Sequence, residues 1–176
     1  EMPAALTEDG TELPCSVDGP AVLFTFKTTI EPRSGRITLF KVMSGVLKEG
    51  DELVNANTGA SERLNQLFIL EGKERKPVDR LVAGDIGGAI KLKDTGTGQT
   101  LHAKGKAYGL EPIAFPLPRL HRTVKATDPK QEEKLHAGLL ELQQEDPAIT
   151  LRYVRETAEQ VIGTLGELHL GVIQWK

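Results

Sequence analysis

Residues 35–50 read GRITLFKVMSGVLKEG. Ile37 and Leu39 fall on one parity of this stretch, and Phe40 and Val42 fall on the other. Because successive side chains of a strand point to opposite faces, the apolar face changes partway along, which predicts a β-bulge or burial on both sides. Strands of small closed barrels have both properties. With a glycine break inside it and a Gly-Asp turn at its end, the stretch predicts the central hairpin of a β-barrel.

Short apolar strands separated by glycine-rich turns continue on both sides of this stretch. Alternating apolar side chains predict strands over residues 21–29, 53–56, 62–70, 89–92 and near residue 100. Residues 71–76 are expected to form a polar loop, and residues 1–20, rich in proline, glycine and acids, a tether. Regularly spaced short strands are typical of an all-β barrel or sandwich. We therefore predict a linker over residues 1–20 and a Greek-key β-barrel over residues 21–110.

The periodicity changes after a stretch rich in glycine and proline at residues 102–118. Asp128 followed by Pro129 predicts the start of a helix, whose apolar stripe consists of Leu135, Leu139 and Leu142. Strands are predicted over residues 120–126, 149–153 and 160–163. A second helix is predicted from residue 166, with a buried side formed by Leu165, Leu168, Val172 and Ile173.

The predicted order of strand, helix, strand, strand and helix is that of a ferredoxin-like domain without its last strand. We predict this incomplete α/β sandwich over residues 111–176, so that the fold class is α+β with two domains. A sheet that lacks one strand has an unpaired edge, which folded proteins usually cover. We therefore expect the chain to be an internal piece of a longer protein.

Composition limits the classes of function. A formal net charge of -3 excludes binding of nucleic acid through an overall basic surface, although local basic patches stay possible. The single cysteine, Cys15, excludes a disulfide framework and is typical of a reducing compartment, so a cytoplasmic location is expected. No apolar run approaches the roughly 20 residues that span a bilayer, so no membrane partner is expected.

We find no catalytic or metal site in the sequence. Residues 96–98 read Gly-Thr-Gly but lack the Gly-Lys-Ser or Gly-Lys-Thr ending of a phosphate-binding loop, so no cofactor is expected in this chain. Cys15 lies in the predicted tether without a supporting base. The four histidines, His102, His121, His136 and His169, lack metal-ligand spacing.

Two blocks of the second half carry a family resemblance. Glu145, Asp146 and Pro147 follow the leucine-striped helix, and residues 166–170 read Gly-Glu-Leu-His-Leu. Both blocks resemble the third domain of elongation factor G, and the first half resembles its second domain through Gly-Arg at 35–36, Ser-Gly at 44–45, Gly-Asp at 50–51 and Gly-Asp at 84–85. Departures such as Leu165 in place of a methionine indicate a divergent, elongation-factor-G-like paralogue.

The resemblance implies partners and contact residues. It implies a longer protein that hydrolyses GTP with Mg²⁺ in an upstream domain, and a monomeric piece that docks on the ribosome. Arg33, Arg36 and Lys41 are then candidates for contact with small-subunit ribosomal RNA, because this barrel docks there in the family. A weaker basic group consists of Lys73, Arg75, Lys76 and Arg80. Gly166, Glu167 and His169 are candidates for the interface with the GTPase domain of the same parent chain.

Alternatives remain open at this point. A ribosomal protection protein or a release-factor-type GTPase would share the barrel, but we expect it to diverge at residues 166–170. A non-enzymatic regulatory module that binds a small ligand would need a complete sheet. For His169 itself, a packing role at the helix surface stands beside a functional one.

Overall fold

The computed structural model of the chain describes residues 4–31, 34–72, 74–105, 107–157 and 159–175. The chain divides into two compact units, Glu1–Ile113 (unit 1) and Ala114–Lys176 (unit 2). The strands of unit 1 are β1 (Ala5–Leu6), β2 (Glu12–Leu13), β3 (Val22–Glu31), β4 (Gly35–Ser44), β5 (Val46–Lys48), β6 (Glu52–Asn55), β7 (Ser61–Arg63), β8 (Asn65–Glu71), β9 (Glu74–Pro77), β10 (Arg80–Val82), β11 (Ile86–Ile90) and β12 (Thr100–Ala103).

Unit 1 is a β-barrel built from one antiparallel sheet in the order β7-β6-β12-β3-β4-β11-β8-β9, with β5 paired to β10. The inward side chains of these strands form one buried cluster, in which Phe40, Leu53 and Leu101 are at most 1% exposed. Leu64 and Leu67 join this core, as their spacing predicts. The predicted polar loop at residues 71–76 is wrong in part, because β9 pairs with β8 across a tight turn.

The hairpin predicted for residues 35–50 is wrong in its pairing. β4 lies between β3 and β11, whereas β5 pairs with β10. The predicted bulge belongs to the partner strand, since the β3–β4 register shifts between Val22 and Leu23 and between Thr25 and Lys27. Gly45 ends β4 at φ +75°, where a Cβ atom would lie 2.7 Å from backbone atoms of residues 20 and 21. Only glycine fits this close approach.

The segment before the barrel also differs from the tether predicted for residues 1–20. β1 and β2 pair with each other, and Thr7 forms a bridge to Leu110. Leu13 is buried with Val22 and Leu110 in a second apolar cluster on the barrel. Residues 4–20 therefore pack on unit 1, because this small cluster supplies apolar contacts that the proline and glycine content obscures.

Unit 2 is a three-stranded antiparallel sheet with two helices, the ferredoxin-like arrangement that the sequence predicts. Its elements are β13 (Leu120–Val124), α1 (Glu132–Glu145), β14 (Thr150–Val154), β15 (Glu159–Thr164) and α2 (Glu167–Trp175). The strand order is β13-β15-β14. The Asp128 carboxylate caps the chain before α1 by accepting from the Lys130 N–H at 3.0 Å. With these elements, the predicted α+β fold class is confirmed.

One prediction for α2 is wrong. Its buried side consists of Leu170 and Ile173, which pack on Leu139, Ile149 and Ile162. The residues predicted to be buried are exposed instead, at 86% for Leu168 and 50% for Val172. Apolar residues lie on more than one side of this helix, so periodicity alone could not choose the side that faces the core.

Candidate functional site

A loop at the rim of the barrel, residues 93–99, is held by a buried carboxylate. Glu62 is only 5% exposed. Its Oε2 accepts from the Lys93 N–H at 3.1 Å, and its Oε1 accepts from the Asp94 N–H at 2.6 Å and the Thr95 hydroxyl at 2.9 Å. Three donors from consecutive residues satisfy the charge, so burial of this carboxylate is compatible with a stable fold.

Neutral polar side chains fix the rest of this rim loop. Asn55 is fully buried and donates to the Asp94 carbonyl at 3.1 Å and to the Gln99 side chain at 2.9 Å. The Thr25 hydroxyl donates to the Gly96 carbonyl at 2.6 Å. The N–H groups of Gly96 and Gly98 donate to Gln99 and Thr25. Because these N–H groups point at protein acceptors, the Gly-Thr-Gly turn is not a phosphate cradle.

Three basic residues surround the rim loop. Arg36 begins β4 and donates from Nη1 to the Lys93 carbonyl at 2.8 Å. Lys91 follows β11 with a left-handed φ of 63°, and its N–H donates to the Arg36 carbonyl at 3.3 Å. Among the described residues, the ammonium groups of Lys91 and Lys93 form no ion pair. We call Arg36, Lys91 and Lys93 the basic rim.

The sequence singled out Arg36 but missed both lysines. Lys91 and Lys93 stand in a Lys-Leu-Lys triplet whose leucine, Leu92, is buried. That alternation was the available signal, since it turns both lysines away from the core. What the sequence did not reveal is that Glu62, about thirty residues earlier, holds this triplet against Arg36.

The other basic residues predicted on this strand do not join the basic rim. Lys41 alternates with the buried Phe40 and Val42 and therefore lies on the outer face, between Phe24 and Ile86 of the neighbouring strands. Arg36 and Lys41 are five residues apart, so their side chains leave opposite faces at roughly 17 Å along the strand. Arg33 lies outside the described residues.

The weaker basic group around β9 is largely neutralised. Arg75 pairs with Glu31, donates to the Ser34 hydroxyl at 2.9 Å and lies 5.7 Å from the centre of the Phe68 ring. Lys76 pairs with Glu71. Arg80 is exposed at the start of β10, and Lys73 lies outside the described residues. Ion pairs and a cation–π contact therefore occupy the cations nearest the strand.

The two blocks that carried the family resemblance contact each other in unit 2. His169 Nε2 lies 3.0 Å from Asp146 Oδ2, and His169 Nδ1 accepts from the Leu165 N–H at 3.2 Å. Because Nδ1 accepts, the proton of a neutral ring is on Nε2 and is donated to Asp146. Asp146 also accepts from the Ala148 N–H at 2.9 Å through Oδ1. His169 thus ties the first turn of α2 to the turn after α1.

The other predicted interface residues lie at the start of α2. Glu167 pairs with Arg122 of β13 at 2.8 Å. The Gly166 carbonyl accepts from the Leu170 N–H at 3.0 Å, and a Cβ atom on Gly166 would meet nothing within 4 Å. Around them, four exposed apolar side chains follow helical spacing, namely Leu165, Leu168, Val172 and Trp175. We call these four residues the exposed stripe.

Other chemistry was sought in the described part of the chain. No three His, Cys, Asp or Glu side chains lie together there as metal ligands. Cys15 is half-buried, and its thiol forms no disulfide. Neither of the described helices has the length and hydrophobicity that crossing a bilayer requires.

Comparison with known proteins defines the class. Residues 20–104 match the family model described as elongation factor G domain 2, and residues 115–176 match that of elongation factor G, domain III. A barrel followed by a ferredoxin-like unit is thus a pair of translation-factor domains. The chain belongs to the elongation factor G family.

Individual relatives agree with this assignment. The chain is 37% identical to elongation factor G 1 of Bdellovibrio bacteriovorus over 98% of its own length, and 36% identical to elongation factor G of Granulibacter bethesdensis over 94%. It spans about a quarter of the length of these relatives, 26% and 24% respectively. A crystal structure from Thermus thermophilus matches 90% of the chain and 24% of its own, with a TM-score of 0.79 and 28% identity.

Proposed function

We propose that this chain provides ribosome docking and mechanical coupling to an elongation-factor-G-like translocation GTPase in the cytoplasm. The observation that carries the docking role is the basic rim, three cations held around a loop by the buried Glu62. In this proposal the partner is the phosphate backbone of small-subunit ribosomal RNA. Phosphate contacts position a protein on RNA without reading its sequence, so no base-specific pocket is required.

The pinned loop supports a phosphate site for an energetic reason. Lys93 and Lys91 are exposed, but their backbone positions are fixed by Glu62 and Arg36. A fixed backbone leaves less conformational entropy to lose on binding than a free loop would. Lys41 and Arg33, at other positions of the same barrel, remain proposed additional contacts.

The coupling role rests on α2 of unit 2. We assign GTP hydrolysis and Mg²⁺ to another domain of the longer protein, and propose that Gly166, Glu167 and His169 face that domain. The exposed stripe supports this assignment, because Leu168 and Trp175 are each 86% exposed and large apolar side chains in water favour an interface. Movement of the nucleotide-dependent domain would then be transmitted through α2.

The docking proposal is tested with the variant Lys91→Glu/Lys93→Glu, measured for binding to isolated small ribosomal subunits between about 50 and 200 mM salt. The matched control is Lys130→Glu/Lys134→Glu, because these two lysines of unit 2 are exposed and form no ion pair within the described ranges. We expect the rim variant to lower the slope of log affinity against log salt by about 2, one for each lost phosphate contact. Equal slopes for the rim variant and the control would refute docking through the basic rim.

A further inference from the structure

One face of the unit 2 sheet carries no helix. Val124, Leu151 and Ile162 belong to the apolar cluster with α1 and α2, so alternation assigns their face of the sheet to the helices. The opposite face presents the neighbouring parity of each strand. We call it the open face, and its central members are His121, Thr123, Thr150, Arg152 and Val161.

The middle of the open face is flat because of Gly163. His121 and Thr150 are the cross-strand neighbours of this glycine. A Cβ atom at Gly163 would clash with the Thr150 hydroxyl and would lie 3.2 Å from the His121 ring. The glycine therefore lets two polar side chains from the outer strands close over the central strand, which leaves a level polar surface.

The open face is positively charged although the whole chain is negative. Glu159 is its acid, and the ammonium of Lys125 pairs with that carboxylate at 2.8 Å. Arg152 lies on β14, and Arg119 comes just before β13 on the same parity as His121. In the described part of the molecule neither arginine forms an ion pair. Two guanidinium groups are thus left without a carboxylate.

The composition of the open face favours a phosphate backbone over a protein partner. Its apolar members Val154 and Val161 are half-buried, whereas its exposed members are polar or basic. The large exposed apolar side chains Leu168 and Trp175 of this unit lie on α2 instead. Cores of protein interfaces are apolar and depleted of charge, whereas arginine and threonine side chains are typical contacts to phosphate oxygens.

We propose that the open face of unit 2 binds the phosphate backbone of RNA, with Arg119 and Arg152 as the charged contacts and the Thr123 and Thr150 hydroxyls as donors. This surface is separate from the basic rim, which belongs to unit 1. It is therefore independent of the proposed docking through Lys91 and Lys93. The ligand is recognised by charge and shape, without base readout.

The test uses the full 176-residue chain and a fluorescently labelled RNA hairpin, with affinity measured by anisotropy as salt is raised. All variants carry Lys91→Glu/Lys93→Glu, so that RNA binding at the basic rim does not mask the open face. In that background, we expect Arg119→Glu/Arg152→Glu to weaken binding about tenfold and to lower the salt slope by about 2. Addition of Lys130→Glu/Lys134→Glu, a matched change on the helix side, should leave a steeper slope.

A second measurement covers the case in which the double arginine variant fails to fold. Addition of the same RNA to the chain with the intact open face should shift the NMR amide signals of Thr123, Arg152 and Val161 and leave those of α1 unchanged. Equal slopes for the two added changes, shifts confined to the helices, or displacement of the RNA by an acidic peptide at equal charge would each overturn the proposal. Loss of rim binding alone leaves this result unaffected, so the two proposals fail separately.

Discussion

At the scale of single residues, His169 joins the two blocks that identify the family. Its ring bridges the Leu165 N–H and the Asp146 carboxylate, so both nitrogens are engaged within unit 2. The packing role foreseen for this histidine and the interface role proposed for it are compatible. The same hydrogen bonds that stabilise unit 2 hold α2 in the orientation that exposes Leu168 and Val172.

The Asp146–His169 contact should be measurable as a coupling energy. We expect Asp146→Ala to lower the free energy of unfolding by about 1.5 kcal/mol, the usual worth of a hydrogen bond to a charged group. His169→Phe should cost a similar amount, and the double variant less than the sum, because each single change already breaks the contact. Urea denaturation of the four proteins gives the cycle, and strictly additive losses would refute the bridge.

Glu159 gives a pH prediction at the same scale. A hydrogen bond from the Lys125 side chain, and then one from Thr157, lowers the pKa of the Glu159 carboxyl below its ordinary value. A lowered folded-state pKa means that the contribution to stability is present above the unfolded-state pKa and is lost as pH falls through the folded-state value. In an NMR titration, Lys125→Gln should raise the pKa of Glu159. An unchanged titration curve would contradict the assigned cause.

At the scale of elements, two glycines in regular structure play opposite roles. A Cβ atom on Gly88 of β11 would lie 2.6 Å from the Phe68 ring and 2.9 Å from Leu39, whereas one on Gly138 of α1 would meet nothing within 4 Å. Overpacking of a filled site costs energy, but alanine in an open helical site favours the helix. β11 therefore requires its glycine, and α1 does not.

These two sites make a matched pair of substitutions. We expect Gly88→Ala to destabilise the chain by about 1–3 kcal/mol through overpacking. Gly138→Ala should stabilise it by up to about 1 kcal/mol through helix propensity. Thermal or urea unfolding of both variants gives the two signs, and a neutral Gly88→Ala would mean that the strand relaxes around the added methyl group.

Much of the element level could be predicted from local sequence. The Asp128 cap and the stripe of Leu135, Leu139 and Leu142 depend on residues close in the chain, and both were found. The partner of β5 could not be found this way, since β10 lies about thirty residues further on and its choice depends on barrel closure. Likewise, α2 has apolar residues on two sides, and only tertiary packing selects the one that is buried.

The candidate site divides along the same line. Arg36 was found because it stands in a strongly patterned strand, but Lys91 and Lys93 become a site only through Glu62 and the closed barrel. The open face could not be inferred either, because its members come from three strands and the intervening Gly163 looks like any strand glycine. Long-range pairing, which the local pattern does not encode, creates both surfaces.

At the scale of the whole molecule, a net charge of -3 coexists with two separate basic surfaces, the basic rim and the open face. Carboxylates elsewhere on the chain repel RNA, so binding must be directed to these surfaces and must depend on salt. The exposed stripe of α2 adds an apolar surface of a different kind. Each unit therefore contributes a charged surface, and unit 2 also offers one suited to a protein domain.

The most direct test of ribosome docking is site-directed hydroxyl-radical cleavage of small-subunit ribosomal RNA from a chelated iron probe. The probe is attached at Asp94→Cys in a Cys15→Ser background, because the Asp94 side chain is exposed in the rim loop and its substitution spares the lysines. A probe at Lys134→Cys on α1 is the control. We predict localised cleavage from residue 94 that weakens as salt is raised. Absence of cleavage from residue 94, or the same cleavage from residue 134, would contradict docking through the basic rim.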